Sequence, residues 1–214
     1  MRNLYLALGM FCVMFLVNPA KSETENNVHV MIAYDLSWSI HANPSANWAK
    51  AGGRFFNEYF EDYVMRCQTI TIDYIGWGTS PFPPIQRRLS DNVKSKDFGN
   101  MLFAMSAINM EATNPRDAMI AANSIVTQNF DRTIIIFLTD ADIMGERHSR
   151  LGEMVSPSTQ FFGISLGSNA SFTYMSAHII PKHGQHFHAN TTKEFNKTMR
   201  DILDEIGYEH CMAS

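Results

Sequence analysis

Two short stretches hold oxygen donors at spacings that suit a hard cation. Asp35-Leu36-Ser37-Trp38-Ser39 sets a carboxylate and two hydroxyls at alternate positions, and Thr139-Asp140-Ala141-Asp142 adds a hydroxyl and two carboxylates much later in the chain. Neither stretch contains a thiol or an imidazole. Such oxygens suit Mg²⁺, Mn²⁺ or Ca²⁺ rather than zinc or copper. A loop with oxygens at every second residue can wrap one face of an octahedral ion, and Asp35, Ser37 and Ser39 have that spacing. Two other motifs offer rival chemistry. Gly163-Ile164-Ser165-Leu166-Gly167 matches the GxSxG of a serine-hydrolase elbow. An acid and a histidine must then follow in order, and Asp201 or Asp204 with His210 is the late option, too near the end for a preorganised triad. A hydrolase using Ser165 is therefore the minor alternative. His183, His186 and His188 in HGQHFH could serve a transition metal. Strand alternation gives only His186 and His188 a common face, with His183 in the turn before Gly184, and the plain reading is surface histidines.

The elements that must position these residues alternate between strand and helix. Val28–Tyr34 is an apolar run ending at Asp35, and Thr69–Tyr74 is rich in β-branched residues before Gly76, Gly78 and a proline cluster. Gln86–Leu89 fits a short edge strand. Thr133–Leu138 is a strongly apolar strand leading into Thr139-Asp140, and Gln160–Leu166 and Gln185–Ala189 follow. Helical spacing runs over 46–65, 96–108, from Asn114-Pro115 to about Gln128, and over Thr191–Ile206. Strands separated by helices need crossovers, which predict an α/β fold: a doubly wound, mostly parallel sheet with helices on both faces and one short antiparallel edge strand. Ligands of such sheets bind outside the carboxyl ends of the strands where strand order reverses. Asp35 and Asp140 both stand at carboxyl ends.

In these residues the sequence resembles the von Willebrand factor type A family, the vWA or integrin I-like domain. That family builds a metal-ion-dependent adhesion site (MIDAS) from DxSxS after the first strand, a threonine of a later loop and an aspartate ending a central strand. Asp35, Ser37 and Ser39 match the first part, Thr113 in Ala112-Thr113-Asn114-Pro115 the second and Asp140 the third. Glu111-Ala112 and Ala141 stand where the family often has glycine. The resemblance covers roughly 28–206. It implies that Ser37, Ser39 and Thr113 ligate a divalent cation, Mg²⁺ first with Mn²⁺ or Ca²⁺ as alternatives, while Asp35 and Asp140 act directly or through water. It also implies an open coordination position that accepts an Asp or Glu carboxylate from a protein partner, hence a binding module and not an enzyme. Trp38, between the two serines, and Asp142 are candidates for partner contact. The alternative is a vWA-shaped structural or assembly component with no metal in use.

The chain has 214 residues, 45% of them hydrophobic and 18% charged, enough for one domain with a full core. Residues 1–22 carry Arg2, an apolar run from Leu4 to Val17, and Ala20-Lys21-Ser22, the layout of a cleaved signal peptide. The run is too short for the roughly 20 residues of a membrane-spanning helix. The expectation is an exported protein, periplasmic or secreted, with residues 23–214 forming the vWA-like domain. Net charge is −4, and loss of Arg2 and Lys21 makes the mature chain more acidic still. Nucleic acid is not an expected partner. Export also allows Cys67 and Cys211 to form a disulfide, with a stabilisation of ~4–5 kcal/mol from chain entropy.

Overall fold

The computed structural model describes residues 28–42, 70–78, 85–88, 114–126, 130–140, 150–167 and 169–211. The expected signal peptide, the helices over 46–65 and 96–108, Thr113, Asp142 and Cys67 all lie outside the described residues.

Among the described residues six strands form one sheet: β1 (Val28–Asp35), β2 (Ile70–Trp77), β3 (Ile85–Arg88), β4 (Arg132–Thr139), β5 (Thr159–Leu166) and β6 (Gln185–Ala189), in the order β3-β2-β1-β4-β5-β6. β1, β2, β4, β5 and β6 run parallel, and β3 pairs antiparallel with β2. The chain first builds outward from β1 through β2, then returns to the other side of β1 with β4 and builds outward again. Strand order therefore reverses between β1 and β4.

The described helices are α1 (Trp38–Ala42), α2 (Pro115–Val126), α3 (Asn169–Tyr174) and α4 (Thr192–Cys211). A 3₁₀ turn at Leu151–Met154 and a π turn at Met175–Ile179 also lie among the described residues. β1 is buried along its whole length and β4 along all but its first residue, as expected of parallel strands covered on both faces. One face carries Met31, Ala33, Ile75, Trp77, Ile135, Phe137 and Phe161, packed against Ala118, Met119 and Ala122 of α2 and against Leu151, Val155, Met175 and Ile179. By alternation Val30, Ile32, Ile134, Ile136, Phe162 and Ile164 take the other face. On α4, which packs on β6, Phe195, Met199, Ile202, Leu203 and Ile206 are buried at helical spacing.

The helix starts are written locally. Asn114 caps α2, its Oδ1 accepting from the Asp117 amide at 3.3 Å, with Pro115 at the first helical position, where no amide donor is needed. Thr191 Oγ1 accepts from the Glu194 amide at 3.2 Å, and Glu194 reaches back to the Asn190 amide at 2.7 Å, a variant of the capping box.

Candidate metal centre

β1 delivers Asp35 to the point where strand order reverses, and the loop that follows is held by its neighbours. The Leu36 amide donates to Trp77 O at the end of β2 at 2.6 Å, and the Asn114 amide donates to Gly78 O at 2.8 Å. The start of α2 is thereby tied to the same rim of the sheet. Thr113 immediately precedes Asn114 in sequence and lies outside the described residues.

Asp35 is fully buried. Its Oδ1 accepts from the Ser37 amide at 2.8 Å, and its Oδ2 accepts from Thr139 Oγ1 at 2.5 Å. Ser37 Oγ and Ser39 Oγ are 3.1 Å apart. Ser37 is buried, Ser39 and Asp140 are half-buried, and Trp38 between the serines is 59% exposed. Asp35, Ser37, Ser39 and Asp140 thus meet at one rim. Trp38 stands open to solvent beside them.

Electrostatics describes the same grouping. Burial pushes the Asp35 carboxyl up to about 7, the Asp140 charge pushes in the same direction, and the bonds from Thr139 and Ser37 only partly offset them. The Tyr34 phenol is also raised, chiefly by burial, with Tyr74, Asp35 and Asp140 adding to it. One buried and one half-buried carboxylate, with hydroxyls 3.1 Å apart next to them, are oxygen donors of the kind a hard divalent cation takes. Such an ion would lower the cost of ionising Asp35.

Thr139 stands among the oxygen donors of the sequence, but motif spacing does not reveal its partner. The Thr139-Asp140 pair assigns it no role by itself, and the structure makes it the side chain that holds Asp35. The parallel register beside β1 supplies that contact, which no local pattern signals. Asp117, a second acid close in sequence to the motif threonine, accepts from Asn114 Nδ2 at 2.8 Å and so belongs to the start of α2. Further down β1, His29 Nε2 lies 2.7 Å from Asp73 Oδ2 of β2, with both side chains buried and His29 stacked on Phe130.

The rival motifs lie on and beside β5 and β6. Ser165 is buried, and its hydroxyl lies 2.8 Å from His188 Nδ1 and 3.2 Å from His186 Nε2, so its histidine neighbours are in β6. Asp201 pairs with Lys197 on the exposed side of α4 at 2.6 Å. Gly163 gives room to Ile180, whose Cδ1 would lie 1.9 Å from an added Cβ, and Gly167 takes the left-handed region with φ 91°. His186 and His188 share one face of β6, half-buried and hydrogen-bonded to Ser176 and Asn190. His183 is exposed and lies with Arg150, Glu153 and Lys182 around a cavity of about 480 Å³. That cavity is reached by residues preceding β5 and β6, at the amino ends of the strands, away from Asp35.

No protein-family model matches the sequence, and no curated protein matches it significantly. Solved structures do. The PilB minor pilin from Streptococcus sanguinis superposes with a TM-score of 0.63 at 13% identity, covering 90% of this chain and 64% of the pilin. BatB from Bacteroides thetaiotaomicron gives 0.59 at 15% identity, over 85% of this chain and 99% of BatB. Proximal thread matrix protein 1 from the mussel byssus, in a form with a zinc-occupied MIDAS motif, gives 0.60 at 14% identity, over 85% of this chain and 46% of that one. The chain thus spans less than two thirds of the pilin and less than half of the byssus protein. At these identities the likeness is one of fold: an α/β domain with vWA-like neighbours. Among the described residues no helix is long and apolar enough to cross a membrane.

Proposed function

We propose that this chain is an exported adhesion or assembly module that binds a protein partner through a divalent cation. Asp35, Ser37, Ser39, Thr113 and Asp140 would hold the ion, Mg²⁺ by the hardness of the donors, with Mn²⁺ and Ca²⁺ as substitutes. Bound there, it supplies an electrophilic position for one further oxygen ligand. The partner's Asp or Glu carboxylate takes that position. The chain's own residues do the rest: Thr139 and the Ser37 amide fix Asp35, the serine loop offers its hydroxyls, and exposed Trp38 stands at the approach. The role is binding, not turnover.

The observation that carries this reading is a buried aspartate at the strand-order reversal whose ionisation is opposed by burial and by Asp140. A zinc-occupied MIDAS motif on a similar fold supports it. Titration calorimetry with Mg²⁺ or Mn²⁺ tests it: wild type binds one ion, and Asp35→Ala weakens binding at least about a hundredfold, near the upper end of what loss of a supporting group costs. Absence of metal-dependent heat in a folded wild-type protein would favour the alternative, an assembly component of this shape that uses no metal. Retention of a partner from envelope extract with Mg²⁺ but not with chelator would then identify the ligand.

A further inference from the structure

A second polar cluster lies at the same carboxyl edge of the sheet, three strands from Asp35. In register, Thr139 of β4 lies beside Ser165 of β5, and Ser165 beside His188 of β6. His186, two residues earlier on β6, shares that face. Both imidazoles turn a nitrogen toward Ser165 Oγ, His188 Nδ1 at 2.8 Å and His186 Nε2 at 3.2 Å. The far nitrogens are held as well. His186 Nδ1 lies 2.8 Å from Ser176 Oγ, and His188 Nε2 lies 3.1 Å from Asn190 Oδ1. Phe172 stacks on the His186 ring at 4.2 Å and meets the His188 ring edge-on at 5.7 Å.

Counting protons shows what the cluster can accept. Asn190 Oδ1 only accepts, so His188 carries its proton on Nε2 and presents a bare Nδ1 to Ser165. The Ser176 hydroxyl can accept too, and when it does His186 presents a bare Nε2 to the same point. The single Ser165 proton, which also faces Phe187 O at 3.2 Å, then satisfies at most one of the two imidazole lone pairs, whereas a cation satisfies both. Hydrogen bonds on the outer nitrogens are the feature that orients metal-binding histidines. Burial, and next the neighbouring His188, push the His186 pKa down to about 4, so its ring is uncharged and available through the neutral range. β6 is the last strand of the sheet among the described residues.

From this convergence we infer that His186 and His188, with the Ser165 hydroxyl beside them, form a binding site for a divalent transition-metal ion of the zinc, copper or nickel type. Water completes the coordination. Imidazole donors distinguish it from the oxygen site at Asp35, since Mg²⁺ competes poorly for nitrogen. The inference is independent of the proposed adhesion role.

The test uses Zn²⁺ calorimetry with millimolar Mg²⁺ present, on wild type and on Asp35→Ala. Both should bind one Zn²⁺ equally. Asn190→Ala should weaken it about tenfold, the cost of losing an orienting partner, and the double change His186→Ala with His188→Ala should abolish it. Copper electron paramagnetic resonance on the unaltered protein reads the ligands directly and needs no variant to fold; two imidazole nitrogens should appear in the hyperfine pattern. Zinc heat that survives the double change, zinc heat that disappears in Asp35→Ala, or a copper signal without imidazole nitrogen would each overturn the assignment.

Discussion

Asp35 concentrates the electrostatic cost of the rim in one group. Its folded pKa of about 7 stands above the ordinary 3.8 of an aspartate, so the folded state keeps a proton that the unfolded chain has already released. Stability contributed by that proton is fully present below about pH 4 and is lost as pH rises toward 7, beyond which the curve levels. For the metal-free protein we predict a decline of a few kcal/mol between pH 4.5 and 7.5, read by urea unfolding, since each tenfold gain in proton affinity on folding corresponds to about 1.4 kcal/mol. Asp35→Asn keeps the size of the side chain and removes the charge. It should flatten this slope and be the more stable protein at pH 7.5 without cation. Parallel profiles for the two proteins would show that Asp35 does not carry the cost.

At the scale of elements, the strands and their carboxyl-end residues were readable because apolar runs and motif spacing are local. β1, β4, β5 and β6 fall within one residue of their expected bounds. β2 runs on to Trp77, past Gly76, because it lies inside the sheet and Gly76 still pairs with Tyr34. α4 continues beyond Ile206 to Cys211. α3 and the π turn that extends it went unseen, since six residues give too little periodicity. What sequence could not show was contact across strands: Thr139 on Asp35, Ser165 between two histidines, His29 on Asp73. Each depends on register, which no single segment encodes.

The close approach of the 3₁₀ turn to the chain entering β6 is another such contact. A Cβ on Gly152 would lie 2.7 Å from Ile180 C, Ile180 O and Pro181 N, all main-chain atoms that cannot rotate aside. Gly152→Ala should therefore cost about 1–3 kcal/mol, the usual range for overpacking, in chemical denaturation. Cation binding at Asp35 should be unchanged, because this contact lies beyond β4 and β5 from that rim. A cost below about 0.5 kcal/mol would mean that the two segments separate easily.

For the molecule as a whole, five parallel strands present one carboxyl edge on which an oxygen-rich rim and an imidazole pair sit three strands apart. At about 4.8 Å per strand the separation is on the order of 14 Å, too far for one ion to bridge and near enough for one partner surface to cover both. If a hard cation belongs at the Asp35 rim, it binds the folded chain and not the unfolded one. Folding and binding are then linked. Mg²⁺ at a hundred times its dissociation constant would add about 2.7 kcal/mol, which in a domain of this size raises the melting temperature by roughly 5–10 °C. The rise should be larger at pH 7.5 than at pH 5, where a proton on Asp35 competes with the ion, and should be absent in Asp35→Ala. A thermal shift that is small, indifferent to pH and retained in Asp35→Ala would place the cation elsewhere on the surface. The carboxyl rim would then be a set of hydrogen-bonded polar groups closing the end of the sheet, and partner binding would have to rest on Trp38 and the neighbouring exposed surface without an ion.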